Sequence, residues 1–177
     1  MATCEAIKTT TLEIPTTAVD WTGISNTYKW LEIIAYMRTD KDGVYDTFEL
    51  TLNGDTGNNY SYKNIEAIDT GSGGAWSVGK WGLTDKLQYA VPAKRWGYQS
   101  GSVHILIGQN PTGEAHKKSI MATTGFAYAD STSWGKSYTY FANGFWQTTS
   151  DITQITMTCP DSFVEGSQFT LLGWKDS

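Results

Sequence analysis

The chain is short of charge, cysteine and histidine, and each shortage bears on what it can be. Of its 177 residues only 18% are Asp, Glu, Lys or Arg, below the roughly 25% of an average globular domain. Acidic residues outnumber basic ones by 18 to 13, for a formal net charge of -5. That leaves no basic footprint of the kind that neutralises phosphates, so nucleic acid is not expected as a partner. Two cysteines, Cys4 and Cys159, are too few for a disulfide scaffold. Neither has a companion at metal-ligand spacing, so no zinc site is expected. They are expected as free thiols, and could pair only if the first and last strands are neighbours. No run approaches the roughly 18 apolar residues of a membrane span. The opening Met1-Ala-Thr-Cys4-Glu-Ala-Ile-Lys8 lacks the basic-then-apolar layout of a signal peptide. The expectation is a chain made and folded in a cytosol, with no membrane partner.

Helical periodicity is missing as well. No window of 12 or more residues keeps apolar side chains at i, i+3, i+4 and i+7 without Gly, Thr or β-branched interruptions. What the chain has instead is aromatic: 8 Trp, 10 Tyr and 6 Phe, 14% in all, which with the low net charge excludes disorder. Strand signals recur. Leu12 and Ile14 alternate in a Thr-rich run and suggest a short first strand. Tyr28–Arg38 is apolar on both registers and suggests a central strand covered on both faces. Phe48, Leu50 and Leu52 alternate with Glu49 and Thr51, the pattern of a half-buried strand. Asp42-Gly43 between the last two reads as a hairpin turn. Further strands fit 60–68, 87–91, 103–107, 119–128, 138–141, 152–159 and 168–172. Eight to ten antiparallel strands with long Gly- and Trp-rich connections fit an all-β, two-sheet sandwich of jelly-roll type. It forms one domain over residues 12–177. Residues 1–11, mostly polar and without a core pattern, read as an arm expected to pack on a neighbouring chain, with a return onto its own domain as the alternative. The Gly71–Gly74 run reads as a loop tip.

Catalytic frames are sparse. His104 lies on the polar register of an alternating strand, and His116 beside Lys117 and Lys118 in a polar stretch. No Gly-x-Ser-x-Gly elbow is present. Asp40, Asp42 and Asp46 form one acidic group, and Asn53-Gly-Asp55-Thr-Gly-Asn58-Asn59-Tyr60 forms an amide-rich turn. Both groups fail the EF-hand spacing, because Tyr45 stands sixth from Asp40 and no Glu closes the loop. Their Asn and Asp side chains can cap their own backbone, meet a ligand or partner, or hold a cation. No metal, no cofactor and no enzyme activity are expected. The remaining signal is in Trp76, Trp81, Trp96, Trp134 and Trp146, which stand near Gly, Ser or Lys. A covered Trp buries roughly 150–250 Å². Five of them placed in connections must be covered by loops, by neighbouring subunits or by stacked sugar rings.

Two segments then stand out together. The first is Phe48-Glu-Leu-Thr-Leu-Asn53-Gly-Asp-Thr-Gly-Asn-Asn-Tyr60. The second is Ile152-x-x-Ile155 followed by Phe163-Val-Glu-Gly166-Ser167-x-Phe169-x-Leu171-x-Gly173. In this order they resemble a group of small virion proteins of tailed bacteriophages. The resemblance implies a β-rich, jelly-roll-like and often trimeric protein, found as a head decoration or cement protein or as a tail or fibre component. It implies a location in the virion, assembled in the host cytoplasm, with the major capsid protein and further copies of the chain as partners. Binding or interface residues are then expected at Asn53, Asp55, Asn58, Asn59 and Tyr60 and at the five tryptophans. A capsid decoration protein is the leading expectation. A fibre tip that binds host glycans through exposed Trp and the Asn53–Asn59 loop is the alternative. A glycan-cleaving enzyme would need a converging pair among Asp40, Asp42, Asp46, Asp55 and Asp69.

Overall fold

The computed structural model describes residues 2–69, 74–94, 101–109, 116–130 and 133–175. Twelve strands run through them: β1 (Thr3–Thr11), β2 (Thr16–Thr22), β3 (Trp30–Met37), β4 (Tyr45–Leu52), β5 (Tyr60–Asp69), β6 (Gly74–Thr84), β7 (Leu87–Pro92), β8 (Gly101–Gly108), β9 (Lys118–Asp130), β10 (Ser133–Trp146), β11 (Gln154–Phe163) and β12 (Gln168–Lys175). They form an eight-stranded sheet in the order β1-β12-β3-β8-β9-β10-β5-β6 and a four-stranded sheet in the order β2-β11-β4-β7. The all-β, two-sheet class expected from the alternation is the class observed, with more strands than the eight to ten anticipated.

The topology follows from nested antiparallel pairing. β5 pairs with β6, β4 with β7, β3 with β8, β2 with β11 and β1 with β12, each pair enclosing the one before it. Set aside β1, β12 and the β9–β10 hairpin, and the chain alternates between layers as a long hairpin wound on itself. That is the two-Greek-key winding of a jelly roll. The β9–β10 hairpin inserts between β8 and β5, and β12 with β1 extends the other side, so one sheet reaches twice the width of its partner.

Where the strands fall corrects several expectations. The strand expected around Leu12 and Ile14 is instead a crossing between layers: β1 ends at Thr11 and β2 begins at Thr16. Leu12 is buried there, and its backbone bonds Ser167 and Gly166. Residues 3–11, expected as an arm, run as β1 along β12 of the same chain. Asp42-Gly43 does not close a hairpin, because β3 and β4 lie in different sheets and Gly43 is absent from the positive-φ residues a type I′ turn needs. Of the Gly71–Gly74 run, Gly74 is the first residue of β6; the loop tip expected over the rest lies outside the described residues.

β3 is central by pairing but is covered on one face only. Leu31, Ile33, Ala35 and Met37 are buried, whereas Ile34 is 49% and Tyr36 58% exposed. The core lies between the sheets, with Leu31, Ile33, Ile105 and Ile107 from the wide one and Phe48, Leu50, Ile155 and Met157 from the narrow one. Each such side chain contributes roughly 1.5–3 kcal/mol by leaving water. Phe163 and Phe169 meet edge to face at 5.2 Å.

One carboxylate enters this apolar layer. Asp46 is buried and accepts hydrogen bonds from Lys41 Nζ (3.0 Å), the Thr47 amide (2.8 Å) and Cys159 Sγ (3.1 Å). Burial, with the adjacent Asp46 charge, pushes the Cys159 thiol far above its ordinary range. Cys4 is exposed on the outermost strand of the wide sheet, and both thiols are free. A thiol-reactive disulfide such as Ellman's reagent should therefore titrate one cysteine in the native protein and two in denaturant. Two equally fast thiols under native conditions would contradict this placement.

Candidate functional site

The Asn53–Tyr60 turn is a knot of side-chain bonds. Asn53 (φ 54°) and Gly54 (φ 65°) turn the chain out of β4 through the left-handed region, which Gly enters freely and Asn more readily than most residues. The Asn53 carboxamide then bonds the chain entering β11, the neighbouring strand of the same sheet. Its Oδ1 accepts the Thr153 and Gln154 amides (2.8 and 3.0 Å), and its Nδ2 donates to the Asp151 carbonyl (2.7 Å). A short side chain carrying both acceptor and donor is needed, which Asn supplies and Asp does not. Asp55 accepts the Trp146 indole N–H (2.7 Å), the Gly57 amide (2.9 Å) and the Asn59 carboxamide (3.0 and 3.1 Å). Burial opposes its charge, yet these donors together hold the carboxyl below its usual range. The Tyr60 hydroxyl accepts the Leu52 amide (2.9 Å), and burial pushes its pKa up to about 12. Its ring stacks on Trp146 with centroids 6.3 Å apart.

The two segments that carry the phage resemblance are thus one structural unit. Leu52 at the end of β4 pairs with Ile155 of β11, and Asn53 grips the chain just before it. Asn53, Asp55, Asn59, Tyr60 and Trp146 converge here, and their polar groups are occupied by one another and by backbone. Asn58 stands exposed on the same turn.

Trp76 and Trp81 lie in β6 and Trp134 in β10, at the opposite end of that strand from Trp146; Trp96 lies outside the described residues. For Trp76, Trp81, Trp134 and Trp146 the expected placement in connections is corrected to placement in strands. The glycines that suggested loops are strand glycines at crowded crossings. A side chain on Gly79 would collide with Asn64 on β5, and a Cβ on Gly144 would stand 2.7 Å from the Ser61 carbonyl oxygen and 2.9 Å from the Tyr62 Cβ.

The exposed aromatic and aliphatic surface lies elsewhere, on the outer face of the wide sheet. Phe141 of β10, Ile65 of β5 and Val78 of β6 are direct register partners in one row. Ile65 is 52% and Val78 61% exposed. Beside them Leu83, Gly82 and Phe145 line a hollow of about 500 Å³. Across the sheet, Trp30, Ile34 and Tyr36 of β3 face the same way. Solvent-facing strand positions are usually polar, so an apolar row here is a departure from the ordinary pattern. For β3 the signal was present in the sequence as a stretch apolar on both registers, read as a strand covered on both faces; for Ile65, Val78 and Phe141 no such signal was read.

A smaller cleft of about 230 Å³ opens between the layers where β5 and β6 meet Tyr45, Tyr138 and Tyr140. Glu66 there accepts the Tyr138 hydroxyl (2.6 Å) and the Ser77 hydroxyl (2.5 Å). Tyr138 is stacked between Tyr45 and Phe126, so its ring faces are occupied. Among the described residues no three His, Cys, Asp or Glu gather as a metal-holding group.

Fold and surface together define a jelly-roll β-sandwich with an uncovered apolar outer face. Neither the known protein-family models nor the curated proteins contain a match to this chain.

The Asn53–Tyr60 corner makes its own prediction. Replacing Asp55 with Ala removes hydrogen bonds to a charged acceptor and should cost about 1.5–3 kcal/mol in chemical denaturation. Because the folded carboxyl titrates below the unfolded value of about 3.9, its stabilisation is present above that value. It is lost as pH falls through the folded one. Asp55→Asn should therefore show a flatter acid limb of stability than the parent. An unchanged limb would remove Asp55 from the account.

Proposed function

We propose that this chain is a structural protein of a tailed-bacteriophage virion, a head decoration protein that works as an oligomer. The observation that carries this reading is the exposed apolar row Phe141–Ile65–Val78 on the outer face of β10, β5 and β6. Three exposed apolar side chains in register, with Leu83 and Phe145 beside them, exceed the scattered single residues that are normal at a surface. Covering each contributes up to roughly 1.5–3 kcal/mol, while association itself costs about 4–15 kcal/mol, so one such patch only balances the loss. A closed ring, in which every copy offers the patch and receives a neighbour, adds the second contact that makes the assembly stable. The winding of the strands and the resemblance of residues 48–60 and 152–173 to phage virion proteins support the same reading, and a trimer is the count that the resemblance implies. The glycan route through the Asn53–Asn59 loop is less favoured, because Asn53, Asp55 and Asn59 are already bonded within the fold.

Two measurements test this. Native mass should report an oligomer, and the protein should co-sediment with empty capsids of the phage that encodes it. Ile65→Lys with Val78→Lys, both at exposed positions that leave the core intact, should shift the mass to that of the monomer while circular dichroism is preserved. A parent protein that is a stable monomer without affinity for capsids would overturn the proposal.

A further inference from the structure

The narrow sheet ends at β7, whereas the wide sheet continues through β5 to β6. Core-facing positions of β5 and β6 therefore reach past the second layer, and the cleft of about 230 Å³ lies there. Its walls are rich in tyrosine, with Tyr62, Tyr138 and Tyr140 among them. Its polar groups have acceptors in excess of donors.

Glu66 is half-buried in this cleft. Its two oxygens accept the Tyr138 and Ser77 hydroxyls. A carboxylate has about four acceptor sites, so capacity is left over, and neutral hydroxyls do not balance its charge. No Lys or Arg is among the residues lining the cleft. Among the described residues no cation pairs with Glu66. Two positions earlier on the same face of β5, Asn64 is 7% exposed and its Oδ1 has no hydrogen-bond partner. The missing side chain at Gly79 on β6 makes room for that carboxamide. A partly desolvated carboxylate without a cation thus stands beside a buried acceptor without a donor, a pairing that folded proteins ordinarily avoid. The walls feel the same charge: burial first, with Glu66 adding to it, raises the Tyr138 and Tyr140 hydroxyls above their ordinary range.

Such a cleft selects a group that is positive, rich in donors, slim and carried on an apolar stem. An alkylguanidinium has these properties. Its planar fork offers five N–H donors, meets a carboxylate with two parallel bonds and keeps others for a second acceptor. It is more weakly hydrated than an ammonium, which favours entry between aromatic walls, and its methylenes can lie along them. The volume is below the roughly 300–1,000 Å³ of drug-sized sites, so it suits a group the size of one side chain.

We propose that the cleft between β5, β6 and β10 is a binding site for an alkylguanidinium group, held by the Glu66 carboxylate with Asn64 beside it as a second acceptor. Free alkylguanidines and the arginine side chain of a partner polypeptide share this chemistry. Glu66 and Ser77 stand on the opposite register from Ile65 and Val78, so the site stands or falls separately from the assembly surface.

The test is a calorimetric titration of the intact chain with butylguanidinium, with its uncharged isostere butylurea and with an acetylated, amidated Gly-Arg-Gly peptide, while the tyrosine ring protons are followed by NMR. Butylguanidinium should bind at least tenfold tighter than butylurea and shift the ring resonances of Tyr62 and Tyr138. Tighter binding of the peptide would assign the group to a polypeptide side chain, and tighter binding of butylguanidinium to a free alkylguanidine; either order supports the site. Glu66→Gln should lose tenfold or more. Should Glu66→Gln fail to fold, Ser77→Arg, at an exposed position beside Glu66, supplies a guanidinium from the chain itself and should abolish binding of the added one. Absence of binding by both guanidinium compounds at millimolar concentration, equal affinity for butylguanidinium and butylurea, or undiminished binding by Glu66→Gln or Ser77→Arg would each overturn the proposal.

Discussion

An eight-stranded sheet lies against a four-stranded one, and most of what distinguishes this protein follows from that mismatch. Nested pairing winds β2–β8 and β11 into a jelly roll whose two layers would otherwise match in width. The β9–β10 hairpin enters between β8 and β5, and the β1–β12 pair is added beside β3. The core buries one face of β12, β3, β8, β9, β10 and β5 and leaves the other to solvent, while β1 at the edge is exposed along most of its length. The outer face of an antiparallel sheet is normally polar; here it carries Trp30, Ile34, Tyr36, Phe141, Ile65 and Val78. Surplus aromatic and aliphatic side chains in a charge-poor chain therefore collect on one wide surface, with the Trp30 side and the Ile65 side separated by β9.

The winding also explains why the Asn53 corner is needed. β4 and β11 come from distant parts of the chain yet pair side by side in the narrow sheet. A turn at the end of β4 that bonds the backbone at residues 151, 153 and 154 fixes that long-range register locally. A one-residue slip would turn Ile155 and Met157 out of the core. The Asp55–Trp146–Tyr60 group ties the same corner to the end of β10, so the inserted hairpin is anchored to the sandwich it widens.

Much of the fold was legible in the sequence because period-2 alternation is a direct consequence of strand geometry. Phe48, Leu50 and Leu52 read as a half-buried strand and are one, and the stretches placed at 60–68, 87–91, 103–107 and 168–172 lie within β5, β7, β8 and β12. Glycine misled. Gly79 and Gly144 resemble loop punctuation, but they sit in strands where Asn64 and the Ser61–Tyr62 backbone press close, and no local signal distinguishes the two uses. β1 was missed because an outermost strand with a largely exposed, polar face has no apolar pattern to display. Trp30 and Tyr36 were read as buried because a strand apolar on both registers has the same signature whether its second cover comes from the same chain or from outside it. The Asn53–Tyr60 segment was singled out as a binding or interface turn, but the partners of Asn53 lie about a hundred residues away, and only the folded chain shows that its amide is spent on architecture.

The central claim is that the β10–β5–β6 face is an assembly surface of a virion protein. The most direct measurement is a cryo-electron-microscopy difference map between empty capsids with and without bound protein. The account predicts discrete oligomeric density on the capsid, into which copies of the jelly roll fit with Ile65 and Val78 turned towards a neighbouring copy. Absence of any such density, or bound copies whose β10–β5–β6 face is turned to solvent, would contradict it.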